Sequence, residues 1–172
     1  LPTTLHKEHY SARLLVYYEA VTSFHAENFV ELHFFKDILP GYLWIFPLPN
    51  NRANVGIGVL SSVVSMRKMN LREVLDKLLT TDDRFKERFR SATALETVKG
   101  FGLPLGSKQR KLSGNRFLLT GDAASLIDPF SGEGIANAIR SGRIAASHII
   151  TAFQRQNFSA SFNREYGREI YR

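Results

Sequence analysis

Residues 121–143 read GDAASLIDPFSGEGIANAIRSGR, and the order of small, acidic and apolar residues along this stretch decides the fold. Just upstream, Arg116-Phe117-Leu118-Leu119-Thr120 is a short, largely apolar run expected to form a buried strand, with Gly121-Asp122 at its carboxyl end. Open α/β sheets place ligands at such strand ends. A carboxylate there accepts hydrogen bonds from sugar-like hydroxyls more strongly than a neutral acceptor does. Asp128-Pro129 reads as a turn, and Ser131, Gly132 and Gly134 lead into a helix whose first amides have no internal partners. Those amides and the positive end of the helix dipole attract electron-rich oxygens. The helix then repeats Ile135, Ala138, Ile139, Gly142, Ala145, Ala146, Ile149, Ile150 and Phe153 at helical spacing. This face is expected to pack on a neighbour, its small members allowing close approach. Strand, turn and helix together suit the grip of a polar cofactor.

A second pattern is independent of the first. Residues 41–58 read GYLWIFPLPNNRANVGIG. Tyr42, Trp44 and Phe46 alternate along an extended segment, so all three rings share one face; Pro47 ends the run and Pro49-Asn50-Asn51 supplies a turn. Ala53 to Val59 is expected to be the returning strand, with Gly56 and Gly58 allowing close approach of another backbone or a ligand. Taken singly, each ring reads equally well as part of a packed core. Gly56-x-Gly58 is not a dinucleotide fingerprint: the third glycine position is Ser61, the glycines sit within a strand, and Asp76 falls inside a helical pattern.

These two stretches resemble flavoproteins of the para-hydroxybenzoate hydroxylase type, and within them the geranylgeranyl reductase family. The resemblance implies a mixed α/β (α+β) fold in which an antiparallel substrate-domain sheet is joined to the strand and helix of the second flavin motif. It implies FAD as cofactor, with Asp122 of the Gly121-Asp122 pair holding a ribityl hydroxyl. Pro129, Gly132, Glu133, Gly134 and Ile135 then form the turn and helix start whose amides face the N1 and C2 carbonyl edge of the flavin. The side chain of Glu133 suits the first helical turn whatever its backbone touches, and is expected to be structural. Tyr42, Trp44, Phe46, Pro47, Gly56 and Gly58 match the family's aromatic signature, placed over the flavin along the path of a long isoprenoid. An apolar wall suits a polyprenyl chain, because affinity for it comes from burial at about 25 cal/mol per Å².

The resemblance covers most of the chain but only the later part of such a protein. No glycine-rich βαβ turn for the ADP half of FAD is present, so this piece alone is expected to be inactive and to bind FAD weakly or not at all. The expected activity of the complete protein is reduction of polyprenyl double bonds by hydride transfer from reduced flavin, with NAD(P)H or a ferredoxin as electron donor. A monooxygenase or halogenase of the same fold is the nearest alternative, and a non-catalytic lipid-binding module is the alternative of a different class. Catalytic side chains are not assignable.

Composition is that of a globular chain: 172 residues, 44% hydrophobic and 23% charged. Without cysteine it has neither a disulfide framework nor thiolate chemistry, which fits an intracellular, cytoplasmic protein. No apolar run approaches a membrane span, so membrane contact is at most peripheral. The formal charge of +7 is densest at Lys108, Arg110 and Lys111, which read as a solvated loop rather than a nucleic-acid site. The histidines lack the spacing and partners of a zinc site, and His148 reads as a surface residue.

Two domains are expected. Residues 1–95 carry the substrate-domain sheet, with strands at Arg13–Ala20, Phe29–Phe35, Tyr42–Phe46 and Ala53–Val59. One amphipathic helix follows from 70 to about 90 on Leu71, Val74, Leu75, Leu78 and Leu79. Residues 96–172 form the C-terminal part of the FAD-binding domain, beginning with a glycine-rich loop at Gly100–Pro104 that resembles the family segment bordering the cofactor. They end in a polar helix from Phe162 to Arg172.

Overall fold

A computed structural model describes residues 6–172; the first five residues of the 1–95 region lie outside the described residues. The chain forms two compact units, His6–Gly102 and, among the described residues, Leu103–Arg172.

The first unit is an antiparallel sheet with helices on one face. Its strands are β1 (Tyr10–Glu19), β2 (Glu31–His33), β3 (Gly41–Leu48), β4 (Arg52–Leu60), β5 (Thr93–Ala94) and β6 (Lys99–Pro104). Their order is β2-β3-β4-β1-β5, with β6 also pairing β1. The β3–β4 hairpin runs in register from Gly41↔Val59 to Leu48↔Arg52. Its turn is made by Asn50 and Asn51 at φ of 63° and 53°, a region asparagine tolerates. Pro47 does not end the strand, which continues to Leu48.

Alternation assigns the two faces of this sheet. Val16 of β1, Leu43 and Ile45 of β3, and Val55, Ile57 and Val59 of β4 are fully buried and form one core. Helix α1 (Ser61–Met66) follows β4, and α2 (Leu71–Thr81) adds Leu71, Leu75 and Leu79 to the core. Asn70 caps α2 by accepting from the amides of Arg72 and Glu73, while Glu73 accepts from the Asn70 side chain, a reciprocal cap. The expected helix from 70 to about 90 is in fact two. Asp82 closes α2, its carboxylate taking the amide and guanidinium of Arg84, which holds it down at about 2. A separate turn, α3 (Lys86–Phe89), then brings Phe89 to the core beside the buried Phe85.

The 29–35 segment also departs from expectation. Only Glu31–His33 is strand, and its apolar members point away from the core: Leu32 is 46% and Phe34 56% exposed. The inward side of β2 itself is polar, and Phe35 just beyond it packs on the core. Glu31 pairs bidentately with Arg88, His33 bonds Glu31, and the His33 ring meets Phe85 edge-on. Gly100–Pro104 is not a loop but the strand β6, added to the edge of β1.

The second unit is smaller. The expected strand at 116–120 shrinks to β8 (Phe117–Leu118), paired among the described residues only with β7 (Ser113–Gly114), and its residues are half-buried rather than enclosed. A single 3-10 turn, Gly121–Ala124, follows at once. Helices α4 (Ile135–Gln154) and α5 (Ala160–Ile170) pack around Leu112, Ala124, Ala145, Tyr166 and Ile170. Burial pushes the Tyr166 phenol up to about 12 while it donates to the Leu119 carbonyl at 2.6 Å. His148 is not a simple surface residue: it is half-buried, bonded to Asn163 at 3.1 Å and packed on Phe162.

The apolar stripe of α4 has the expected period but not the expected burial. Ala145 and Ala152, with Ser141, face the core of this unit, whereas Ile135, Ile139, Ile149, Ile150 and Phe153 are exposed. Gly142 has open space where a side chain would be, so its smallness serves no contact among the described residues.

Candidate functional site

The sheet unit carries its candidate site on the face opposite its core. Tyr42, Trp44 and Phe46 line up there with ring centroids 6.1 Å and 6.2 Å apart. Leu32 stands opposite Trp44 in the β2–β3 ladder, and the Phe34 ring lies 5.8 Å from Tyr42. The result is an apolar wall of five side chains whose outer members remain accessible: Phe46 is 37% exposed. Apolar side chains held on the outer face of a sheet are a surface built to be covered. Leu32 and Phe34 were legible as alternating residues, but alternation alone does not say which face is the core.

Gly56 and Gly58 serve this wall. A Cβ on Gly56 would collide with Trp44 Cζ2 and with the Leu14 carbonyl, so the indole lies on the β4 backbone there. That is why Trp44 is only 5% exposed while its neighbour Phe46 is open. The side chain of Asn54 accepts the indole N–H at 2.8 Å and fixes the ring in its plane. At Gly58 a Cβ would come within 3.2 Å of Arg13 Nε, so the Arg13 side chain crosses β4 there. The expected close approach at both glycines is thus made by side chains of the same unit. Neither Asn54 nor Arg13 was singled out by sequence; the ladder Tyr17↔Asn54 and Arg13↔Gly58 brings them to this face.

In the second unit the expected cofactor residues gather at one turn. Gly121 takes φ of +52°, and a Cβ there would press on Ala138 Cβ at 3.1 Å; its amide donates to the buried Ser141 hydroxyl. Asp122 is exposed and its carboxylate bonds to no other described residue. It lies beside the start of α4, since a Cβ on Gly134 would come within 3.4 Å of Asp122 Oδ1 and 3.0 Å of Ile127 Cγ1.

The loop between them is tied by Asp128. Its Oδ1 accepts from the amides of Phe130 and Ser131 and from the Ser131 hydroxyl at 3.1, 2.6 and 2.8 Å. The Ser131 amide leads in holding the Asp128 carboxyl below its ordinary value. Pro129 and Phe130 sit exposed on this tied turn, and Gly132 follows at φ of +69°.

Two of the expected amide donors are already used. The Gly132 amide donates to the Asp128 carbonyl at 2.8 Å and the Glu133 amide to Ser131 Oγ at 3.2 Å. Glu133 turns its side chain onto the helix, accepting the Ala136 amide at 2.8 Å, the structural role its type suggests. The amides of Gly134 and Ile135 have no partner among the described residues. Next to them stands the uncommitted carboxylate of Asp122. Two free donors at the positive end of a 20-residue helix, with a free acceptor alongside, fit a ligand edge rich in oxygen and nitrogen flanked by hydroxyls. The residues present therefore fit a flavin. No cluster of metal-ligating side chains occurs among the described residues, and no helix among them is long and apolar enough to cross a membrane.

Residues 12–101 match the geranylgeranyl reductase catalytic domain. Digeranylgeranylglycerophospholipid reductase 2 of Methanopyrus kandleri is 34% identical over 78% of this chain and 34% of its own length. Menaquinone reductase of Mycobacterium tuberculosis is 36% identical over 63% of this chain and 26% of its own. The chain thus spans about a third of the curated relatives it matches. A geranylgeranyl bacteriochlorophyll reductase-like protein of Thermoplasma acidophilum superimposes with a TM-score of 0.85 at 26% identity, over 97% of this chain and 40% of that one. The myxobacterial chondrochloren halogenase CndH, an FAD-dependent halogenase, shares the fold alone, with a TM-score of 0.69 at 21% identity over 93% of this chain and 37% of that one. With the matched domain covering more than half of its residues, the chain belongs to the geranylgeranyl reductase family.

Proposed function

We propose that the protein saturates double bonds of a polyprenyl chain with FAD as cofactor, that residues 1–95 hold the prenyl chain, and that residues 96–172 hold part of the flavin. The observation that carries this reading is the apolar wall of Leu32, Phe34, Tyr42, Trp44 and Phe46 on the sheet face turned away from the core, of which Leu32, Phe34 and Phe46 are exposed. A prenyl chain offers no polar handle, and rings fixed on rigid strands bind it with little ordering cost. Tyr42, Trp44 and Phe46 contact the chain; Gly56 and Gly58 seat the side chains that shape the wall, and Pro47 stiffens its strand.

Bound flavin, once reduced, would supply hydride from its N5 to the alkene. Asp122 would hold a ribityl hydroxyl, and the amides of Gly134 and Ile135 would meet the N1 and C2 carbonyl edge, where negative charge accumulates on reduction. Gly121, Pro129, Gly132 and Glu133 give the turn its shape. The wall keeps water from the alkene and fixes its orientation. The ADP half of FAD is left to residues outside this chain, and the electrons come from NAD(P)H or a ferredoxin. Membrane contact is at most peripheral and the setting cytoplasmic.

The test is the visible spectrum of the full-length protein beside its Asp122→Ala variant. Flavin absorbance in the wild type, with affinity for added FAD lowered roughly ten- to a hundredfold in the variant, is expected from loss of one charge-assisted hydrogen bond. A colourless protein that takes up no FAD would overturn the reading.

A further inference from the structure

We propose that Arg13 is a phosphate anchor beside the aromatic wall, selecting prenyl substrates that carry a phosphorylated head. The inference rests on the reading of the wall as a prenyl-binding surface. Arg13 stands opposite Gly58 in the β1–β4 ladder, and the missing side chain at Gly58 lets its stem lie across β4. Its guanidinium carbon is 5.8 Å from the centre of the Tyr42 ring and 5.6 Å from that of Trp44. The Nε atom is buried and makes no hydrogen bond, and no other described residue bonds or ion-pairs with this side chain.

This state is costly as it stands. The N–H groups of a guanidinium are donors that need acceptors, and a buried N–H left without one is destabilising. The contacts with the Tyr42 and Trp44 rings offset part of this and satisfy no N–H. The same unit pairs another half-buried arginine fully: Arg88 is locked bidentately to Glu31 at 2.7 and 2.8 Å. Among the described residues no carboxylate is paired with Arg13. A planar fork of donors at an apolar surface is matched by an anion with two oxygens in reach, and a phosphate that ends a prenyl chain lying on the wall supplies it. The source is either a free prenyl phosphate or the phosphate of a lipid head. A quinone head, as the name of the Mycobacterium tuberculosis relative implies for that protein, offers no such group.

The test is calorimetric binding to the full-length wild type, Arg13→Met and Arg13→Lys. The ligands are a prenyl diphosphate, a diprenyl glycerophosphate, the prenyl alcohol of the same chain length and inorganic phosphate alone. Methionine keeps the stem on Gly58 and removes only the fork. We expect Arg13→Met to weaken the better phosphorylated ligand roughly ten- to a hundredfold and leave the alcohol unchanged, with lysine recovering part of the loss. Whichever phosphorylated ligand loses more identifies the source. Inorganic phosphate binds more weakly than either, because the wall contributes nothing to it. Equal loss for alcohol and phosphates would reduce Arg13 to a support for the rings and overturn the proposal, as would unchanged phosphate binding. A wild type that binds the phosphorylated chain through Arg13 but does not reduce it would leave the anchor standing and sink the reductase reading.

Discussion

The wall of the sheet unit works through side chains, whereas the turn from Gly121 to Ile135 works through backbone. On the wall, β2, the residue that follows it and β3 present five apolar groups, and the glycines of β4 matter because a ring and an arginine lie on them. At the turn, the side chains of Asp128, Ser131 and Glu133 are spent on tying the loop itself, which leaves two amides and one carboxylate free. A surface that takes a featureless hydrocarbon needs area and shape. A site for a heteroaromatic edge needs a few donors at fixed points. The same substitution is therefore tolerated in one region and damaging in the other.

The sharpest way to break this contrast is Gly56→Ala. The added Cβ has no room against the Trp44 ring and the Leu14 carbonyl, both well inside contact distance. We expect a loss of about 3 kcal/mol or more in stability by urea unfolding of the full-length protein, from overpacking against backbone. A neutral result would mean the indole does not lie on β4. Trp44→Phe probes the same seat more gently. It removes the indole N–H and leaves Asn54 Oδ1 without its donor, at about 1 kcal/mol, with weaker binding of a prenyl ligand and unchanged flavin affinity. A change in flavin affinity of similar size would blur the division between wall and turn.

For the turn, the pH dependence of flavin binding is informative. The Asp128 carboxyl is held below its ordinary value of 3.8 chiefly by the Ser131 amide, then by the Ser131 hydroxyl. A lowered carboxyl stabilises the folded loop fully above its ordinary value, and that contribution is lost as pH falls through the lowered one. Wild type is expected to keep its flavin down to about pH 4 and to release it only below, while Asp128→Asn loses this acid limb; titration of flavin fluorescence reads both. The smallest effect belongs to Glu133→Gln. Glutamine keeps an acceptor for the Ala136 amide, so stability and flavin affinity are expected to move by no more than ~0.5 kcal/mol. A large loss would show that the Glu133 charge, and not only the backbone, serves the site.

Much of this was legible from residue order. Tyr42, Trp44 and Phe46 announce one face by alternation, and Gly121-Asp122 through Ile135 announces a turn into a helix. Three things were hidden. The 29–35 segment alternates correctly, but its apolar side serves the wall because Glu31 finds Arg88 far along the chain, a pairing with no local signal. The helix from 70 breaks at Asp82 because its carboxylate holds Arg84, while the apolar period continues past the break. Arg13 looks like any strand cation until the ladder sets it opposite Gly58. Spacing gives the face of an element; it does not give which neighbour claims that face.

The most direct test of the central claim is anaerobic incubation of the full-length protein with reduced FAD and a prenyl lipid, followed by mass spectrometry of the lipid, with Trp44→Ala alongside. The account predicts a gain of one H2 for each double bond reduced by the wild type, and much slower gain in the variant at unchanged flavin content. An unaltered lipid in the presence of bound, reduced flavin would contradict it.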